Sequence, residues 1–303
     1  MILAITAARV LPRPALPIPP AMLTTDTATI TQLISYPIKS CAGLSHQTIT
    51  ANALGLPHDR QWMVVDANGR FLSQRQHPTM ALIQPRMTAG TLRLSAPGMA
   101  EIEIPQTSEP TTLEVTVWKD TVQAHTTLDA VNQWLSSYLG SPVRLVHYGS
   151  DSFRQIDPAF AAPGQAVAFA DGYPLLVTHE ASLADLNGRL SAAVDMSRFR
   201  PNIVVQSAAD AWSELGWQRL QNDPANSEAG HLDLVKPCAR CVMTGINQQT
   251  GEQTGSEVLK TLRQQFAHQD QAVFGINGIA HSPQDQLPLQ VGQSLQIVHK
   301  QAG

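Results

Sequence analysis

Cysteine is scarce in this 303-residue chain, which holds three: Cys41, Cys238 and Cys241. So small and odd a number excludes a disulfide-framed fold and fits a reducing compartment. Charge is also low, at 15% of residues, with 20 Lys and Arg set against 24 Asp and Glu for a formal net charge of −4. That balance gives no overall basic field, and no basic run stands out locally, so a nucleic-acid polymer is not expected as a partner. No apolar run approaches the roughly 18 residues that suggest a membrane span. Internal repeats and low-complexity segments are missing between residues 28 and 300. Apolar side chains, by contrast, make up 43% of the chain, enough for one large core or two ordinary ones. A soluble, cytoplasmic globular protein is expected.

Residues 1–27 stand apart. Leu11-Pro12-Arg13-Pro14-Ala15-Leu16-Pro17-Ile18-Pro19-Pro20 carries too much proline for a helix or an inner strand, so this stretch reads as a mobile proline-rich tail. Met1-Ile2-Leu3-Ala4-Ile5 lacks the basic and long apolar regions of a secretory signal, and Met22 is an alternative start. From residue 28 to 150 the pattern is short and β-like. Strands are expected at Thr29–Ile34, Trp62–Val65, Phe71–Ser73, Thr91–Leu94, Glu101–Ile104 and Leu113–Trp118. Asp66-Ala67-Asn68-Gly69 reads as a hairpin turn, because Asn and Gly tolerate positive φ. A helix is expected over Leu128–Leu139, capped by Thr127 and ended by Gly140, then a strand at Val143–Val146.

After a polar loop from Asp151 to Gln165, residues 151–303 interleave helices at Glu180–Leu190 and Ser256–Phe266 with strands at Asn202–Val205, Leu232–Val235, Val242–Ile246 and Leu295–Val298. The expected class is mixed α/β and β-dominated. A β-barrel-like domain over 28–150 precedes a second β-barrel, with flanking helices, over 151–303.

Chemistry concentrates in Lys236-Pro237-Cys238-Ala239-Arg240-Cys241. A Cys-x-x-Cys spacing suits a dithiol redox pair, half of a structural zinc site, a loop with one working cysteine, or two semi-buried structural cysteines. The flanking segments read as strands rather than as the helix a thioredoxin motif opens, so the pair is expected in a turn between strands. No second Cys or His pair follows at finger-like distance, which argues against zinc. Since a cationic neighbour favours the nucleophilic, metal-ligating thiolate, Arg240 singles out Cys241. Cys238 is expected to be the more occluded of the two, and His179 and His231 read as structural histidines.

Several further cations sit at the ends of apolar strands: Lys39 beside Ser40, Arg60, Arg75, and Arg200 with Asn202. Singly, each reads as a solvated strand end. Converging with Arg240, they would instead make a pocket for an anionic ligand, because guanidinium forks grip phosphate bidentately.

Six segments recur in one order: Tyr36-Pro37-Ile38-Lys39-Ser40-Cys41, Asp59-Arg60-Gln61-Trp62, Ser73-Gln74-Arg75-Gln76, Glu180-Ala181-Ser182-Leu183-Ala184-Asp185-Leu186-Asn187, Phe199-Arg200-Pro201-Asn202-Ile203 and Cys238-Ala239-Arg240-Cys241. In these the chain resembles MOSC-domain proteins with their accompanying N-terminal β-barrel domain. Within that group it is similar to the mitochondrial amidoxime reducing component and bacterial reductases of N-hydroxylated compounds. The resemblance implies an oxidoreductase with a molybdenum cofactor, the metal taking a sulfur ligand from Cys241. It places Lys39, Ser40, Arg60, Arg200, Asn202, Ala239, Arg240 and Cys241 at cofactor-holding positions, Gly172 and Tyr173 on a contacting loop, and Arg75 less directly. Asp171 is the candidate for orienting substrate or relaying protons. Cys238 and Cys41 are left as packing or secondary residues.

The implied reaction reduces an N–OH group of a hydroxylamine, amidoxime or hydroxylaminopurine, a detoxifying step. Some bacterial relatives carry a four-cysteine two-iron domain; nothing of that kind follows Cys241. The electrons are therefore expected from a separate ferredoxin or cytochrome with its reductase. The alternative is a cofactor carrier or sulfur-transfer protein, with Cys241 bearing a persulfide.

Overall fold

Leu175 and Val177, Ile203 and Val205, Leu232 and Leu234, and Leu295 and Ile297 each stand two residues apart, which sets both members of a pair on one face of a strand. In the computed structural model, which describes residues 26–88, 91–105, 111–222 and 230–300, those faces meet in one core together with Ala28, Ile30, Leu33, Trp217, Leu220 and Ile276. The proline-rich tail and Met22 lie outside the described residues, apart from the tail's last two positions.

Eighteen strands are described: β1 (Thr27–Ser35), β2 (Leu44–His46), β3 (Thr48–Ala51), β4 (Trp62–Val65), β5 (Gln84–Thr88), β6 (Thr91–Ala96), β7 (Met99–Ile104), β8 (Thr112–Val117), β9 (Asp120–Thr126), β10 (Arg144–His147), β11 (Leu175–His179), β12 (Ile203–Gln206), β13 (Trp217–Gln221), β14 (His231–Ala239), β15 (Ala267–His268), β16 (Gln271–His281), β17 (Leu287–Gln290) and β18 (Ser294–His299). Three α-helices accompany them: α1 (Asp129–Leu139), α2 (Glu180–Asn187) and α3 (Glu257–Gln265). The fold is thus strand-dominated with few helices, as expected.

The first core lies inside a closed ring of seven strands, β11-β12-β1-β18-β13-β14-β16, which β16 completes by pairing back to β11. Purely antiparallel neighbours can close only an even-numbered ring; here the parallel β11–β12 pair accommodates the seventh strand. β1, from the N-terminal half of the sequence, is built into this ring between β12 and β18. A bulge between Ile30 and Gln32 shifts its register by one, so Ile30 and Leu33, three apart, both face inward. Side chains fill the interior, as in other small barrels, and any ligand cleft must lie outside it.

In the N-terminal half β2 pairs with β1 and β3 with β17, and the other strands form a half-barrel from the sheets β4-β10-β9-β8 and β5-β6-β7. Val131, Trp134 and Leu135 of α1 pack there against Val64, Leu92, Leu94 and Leu145, in a second core that also holds Ile38 and Cys41. Gly140 ends α1 in the left-handed region at φ 70°, as its lack of a Cβ allows. The Thr127 cap is not formed: its hydroxyl donates to the Leu145 carbonyl at 3.1 Å, and Leu128 takes the N-cap position. The Asp66–Gly69 turn is present, but beyond it Phe71 makes only a single bridge to Val65. Arg70 meanwhile bridges to Thr116, and this competing partner draws the chain away before a strand develops. Val242–Gly245, expected as a strand, is instead a 3-10 turn; Gly245 packs its backbone against Gly255 with no room for a Cβ.

Barrel closure depends on β16. Ile276, fully buried on that strand, should destabilise the protein by about 2–4 kcal/mol on substitution to Ala, read from the urea unfolding midpoint. Exposed Leu128→Ala should stay within about 0.5 kcal/mol.

Candidate functional site

Four backbone segments that flank barrel strands converge on one cleft of about 320 Å³. The stretch after β1 supplies Lys39 and Ser40; that before β11, Asp171, Gly172 and Tyr173; that before β12, Arg198, Arg200 and Asn202; and the end of β14 with the following turn, Lys236 to Cys241. The half-barrel adds Arg60 and Arg75. Every residue singled out for the site in the sequence therefore lines the same cleft. Seven lining residues are cations, Lys39, Arg60, Arg75, Arg198, Arg200, Lys236 and Arg240, against the single carboxylate of Asp171, in a chain whose net charge is −4.

The cations are held tightly. Tyr36, 3% exposed, lies between the guanidinium groups of Arg60 and Arg200, each 4.3 Å from its ring centre, a favourable placement of charge on a π face. Burial pushes the Tyr36 hydroxyl up to about 12 although both arginines oppose the shift, so it stays protonated. Arg60 Nη1 donates to Asp59 Oδ2 at 2.6 Å and to Asn202 Oδ1 at 3.0 Å, and Nη2 to the Arg200 carbonyl at 3.1 Å. Burial lowers Arg200 to about 10, and its buried Nη2 finds no hydrogen-bond partner among the described residues. Such an orphaned donor normally costs about 1–3 kcal/mol unless something accepts from it. Ser40, Arg60 and Arg200 also adopt positive φ, at 68°, 47° and 53°, a concentration of strain typical of functional sites.

Lys39, 5% exposed, donates from Nζ to the Phe169 carbonyl at 2.8 Å and to Asp171 Oδ1 at 2.5 Å. Burial lowers its pKa, and Asp171 counters. For Asp171, burial acts upward but is outweighed by Lys39, Arg75 and the Trp118 indole, which hold the carboxyl well below the usual carboxylate range. Its side chain is nevertheless 67% exposed at the cleft mouth, where solvent weakens the pairing. Asp171 is thus an acceptor at neutral pH, suited to orienting a donor rather than giving up a proton.

The two cleft cysteines depart from expectation. Cys238 lies within β14 and Cys241 in the following turn, so the pair straddles a strand end. Both are half-buried, and Cys238 is not set apart as the occluded one. Arg240 turns its Nη1 to Cys238 Sγ at 2.8 Å, and it is Arg75 that donates from Nη2 to Cys241 Sγ at 3.1 Å. Sequence adjacency misassigned this pairing because neighbours on extended backbone point to opposite sides, so Arg240 reaches the cysteine two positions back and not the one beside it. Arg75 in turn stacks over the indole of Trp118 at 4.6 Å, a 44% exposed residue held at φ 57° in the β8–β9 turn. Cys41 is fully buried, and burial pushes its thiol up to about 12, which leaves it a packing residue.

Asn202 lines the cleft, but its amide is engaged by protein: Oδ1 accepts from Arg60 and the Leu176 N–H, while Nδ2 donates to the Ile34 carbonyl and Asp59. It positions Arg60. Gly172 has nothing within 4 Å of where a Cβ would stand, and the buried Tyr173 hydroxyl has no partner among the described residues. Tyr36 and Asp59 sat inside quoted motifs without a role, and Arg198 two positions before Arg200. Gln248, which accepts from Arg200 at 3.4 Å and pairs its amide with that of Gln74 at 2.9 Å, carried no signal at all.

Two family profiles match the chain: "MOSC N-terminal beta barrel domain" over residues 27–142 and "MOSC domain" over 164–296. The chain is 33% identical over 246 residues to mitochondrial amidoxime-reducing component 1 of Xenopus laevis, covering 77% of this chain and 70% of that protein. To the same-named protein of Mus musculus it is 36% identical over 253 residues, covering 78% and 71%. It is also 31% identical over 245 residues to the molybdenum cofactor sulfurase of Homo sapiens, covering 74% of this chain and 27% of that longer protein.

Burial separates the three thiols into two classes. Treating the native protein with iodoacetamide should alkylate Cys238 and Cys241 and spare Cys41 until denaturant is added, as read by mass spectrometry of the digested chain. Labelling of Cys41 in the folded protein would contradict the packing described here.

Proposed function

We propose that this chain, which belongs to the MOSC family and carries the family's N-terminal barrel domain, is a molybdenum-cofactor-dependent reductase of N-hydroxylated compounds. The observation that carries this reading is a cation-rich cleft with a half-buried cysteine on its wall, in a chain similar over most of its length to amidoxime-reducing components. Such a cofactor is anionic through its pterin phosphate and dithiolene. The cleft fits it on three counts: seven cations, an orphaned Arg200 Nη2, and open space over Gly172. When bound, the cofactor supplies the two-electron chemistry that converts N–OH to N–H with release of water, two protons being taken up.

The chain's own residues have distinct parts. Arg200 and Arg240, with Lys39 and Arg60, form the binding surface for the phosphate-bearing anion; guanidinium forks suit phosphate, and a buried cation that gains an anionic partner is relieved of its desolvation penalty. Cys241 offers a thiolate ligand, with the Arg75 N–H directed at its sulfur. Asp171, ionised by its pairing with Lys39, accepts a hydrogen bond from the protonated nitrogen or hydroxyl of a substrate at the cleft mouth. Electrons come from a separate protein, a ferredoxin or cytochrome with its reductase. Among the described residues no helix is long and apolar enough to cross a membrane.

The likeness to molybdenum cofactor sulfurase favours a second reading, in which Cys241 carries a persulfide for sulfur transfer. Purified protein separates the two: near-stoichiometric molybdenum and pterin supports the reductase, whereas metal-free protein with cyanide-releasable sulfur supports the carrier.

With an artificial low-potential donor, the purified chain should reduce an amidoxime, and Cys241→Ala should lose that activity without a change in unfolding midpoint. Arg200→Gln should lose molybdenum and pterin during purification. Equal activity of wild type and Cys241→Ala would sink the mechanism. NADH alone should give no turnover until a donor protein and its reductase are added.

A further inference from the structure

The β14–β16 ladder sets His231 directly opposite His281. Leu232, Leu234 and Ala280 point into the barrel core, so strand alternation turns His231, Asp233 and His281 outward onto one patch. The two imidazoles stack with centroids 5.1 Å apart and planes 20° from parallel. His281 Nε2 lies 3.2 Å from Asp233 Oδ2, and His231 Nε2 lies 3.5 Å from Oδ1. One donor atom from each of the three residues falls within 4.8 Å of the others. Around a tetrahedral zinc ion with bonds of about 2.0–2.1 Å, ligand atoms stand roughly 3.4 Å apart. The donors are therefore already near the spacing of a coordination shell.

From this geometry we propose a second metal site, on the outer face of the barrel, in which His231, His281 and Asp233 bind a borderline divalent cation of the Zn²⁺ type. Two imidazoles and one carboxylate suit such an ion better than Mg²⁺ or Ca²⁺, which prefer all-oxygen shells. Side-chain exposures of 21%, 28% and 34% for His231, Asp233 and His281 give an ion access.

Arg219 on β13 donates from Nε to Asp233 Oδ1 at 2.8 Å. Its charge opposes a cation, yet the bond occupies Oδ1 and leaves Oδ2, the oxygen beside His281, for the ion, the usual role of a donor behind a ligating carboxylate. Three protein donors leave the fourth position to water. Asp233 and Lys236, the cleft residue nearest to it along β14, are three positions apart, about 10 Å on an extended strand. The site is thus separate from the cleft and does not depend on what the cleft binds. The ion would clasp β14 to β16, and by binding only the folded ladder it would stabilise the barrel.

The test titrates Co²⁺ into metal-free full-length protein carrying Cys238→Ser and Cys241→Ser, so that the thiol pair cannot compete. One equivalent should bind with visible d–d absorption but no sulfur charge-transfer band, and Zn²⁺ should displace it. His281→Ala, added to that protein with its circular dichroism unchanged, should weaken binding at least about 100-fold. Where the double serine variant does not fold, iodoacetamide-alkylated wild type replaces it. There, Zn²⁺ but not Mg²⁺ should raise the melting temperature, and His281→Ala should remove the rise. Substoichiometric binding, or binding unaffected by His281→Ala, overturns the proposal.

Discussion

The Asp59 carboxylate, 3% exposed, joins three parts of the protein that would otherwise be independent. It accepts from the Tyr36 N–H just after β1 at 2.8 Å, from Arg60 at the entry to the half-barrel at 2.6 Å, and from the Asn202 amide just before β12 at 2.9 Å. Burial raises its pKa, while Arg60 and the hydrogen bonds act against that shift. A buried carboxylate with fewer partners would be costly, and removing one member of such a pair leaves an uncompensated charge at roughly 3–5 kcal/mol. The barrel and half-barrel are therefore locked in register through one anion, at the point where the cleft forms.

That lock has a consequence for the cleft. Asp59 answers Arg60 and fixes Asn202, but among the described residues no carboxylate pairs with Arg200, whose Nη2 stays orphaned, and of the seven cations that line the walls only Lys39, Arg60 and Lys236 have an acidic partner within 4.0 Å. The three positive-φ residues Ser40, Arg60 and Arg200 sit in the same place. Excess positive charge and local strain are unfavourable in isolation and are tolerated because the two packed domains hold the backbone rigid around them. An anion entering the cleft would relieve the charge imbalance, so the lining favours anionic ligands over neutral molecules of similar size.

Much of this was legible in the sequence. Strands with clean alternation, such as β14 and β18, were found because one face is buried and the other is not, and β12 was found as a short apolar run buried on both faces. Lys39 and Arg200 were found because a cation at the end of an apolar run is conspicuous, and Arg240 because it sits beside a cysteine. The misses share a cause, which is dependence on distant partners. Val242–Gly245 has β-type composition, but close backbone packing against Gly255 tightens it into a turn. Arg75 meets Cys241 across 166 positions, and His281 meets His231 across the ladder between β14 and β16, strands that are far apart in sequence. Local spacing cannot report pairings of that kind.

The central claim is that the cationic cleft holds a molybdenum cofactor through Cys241. Diffraction from crystals of the purified protein, recorded at the molybdenum absorption edge, tests it most directly. A single anomalous peak within bonding distance of Cys241 Sγ, flanked by Arg200 and Arg240, is the predicted result. A peak elsewhere on the molecule, or fully ordered protein with no molybdenum in the cleft, would contradict it.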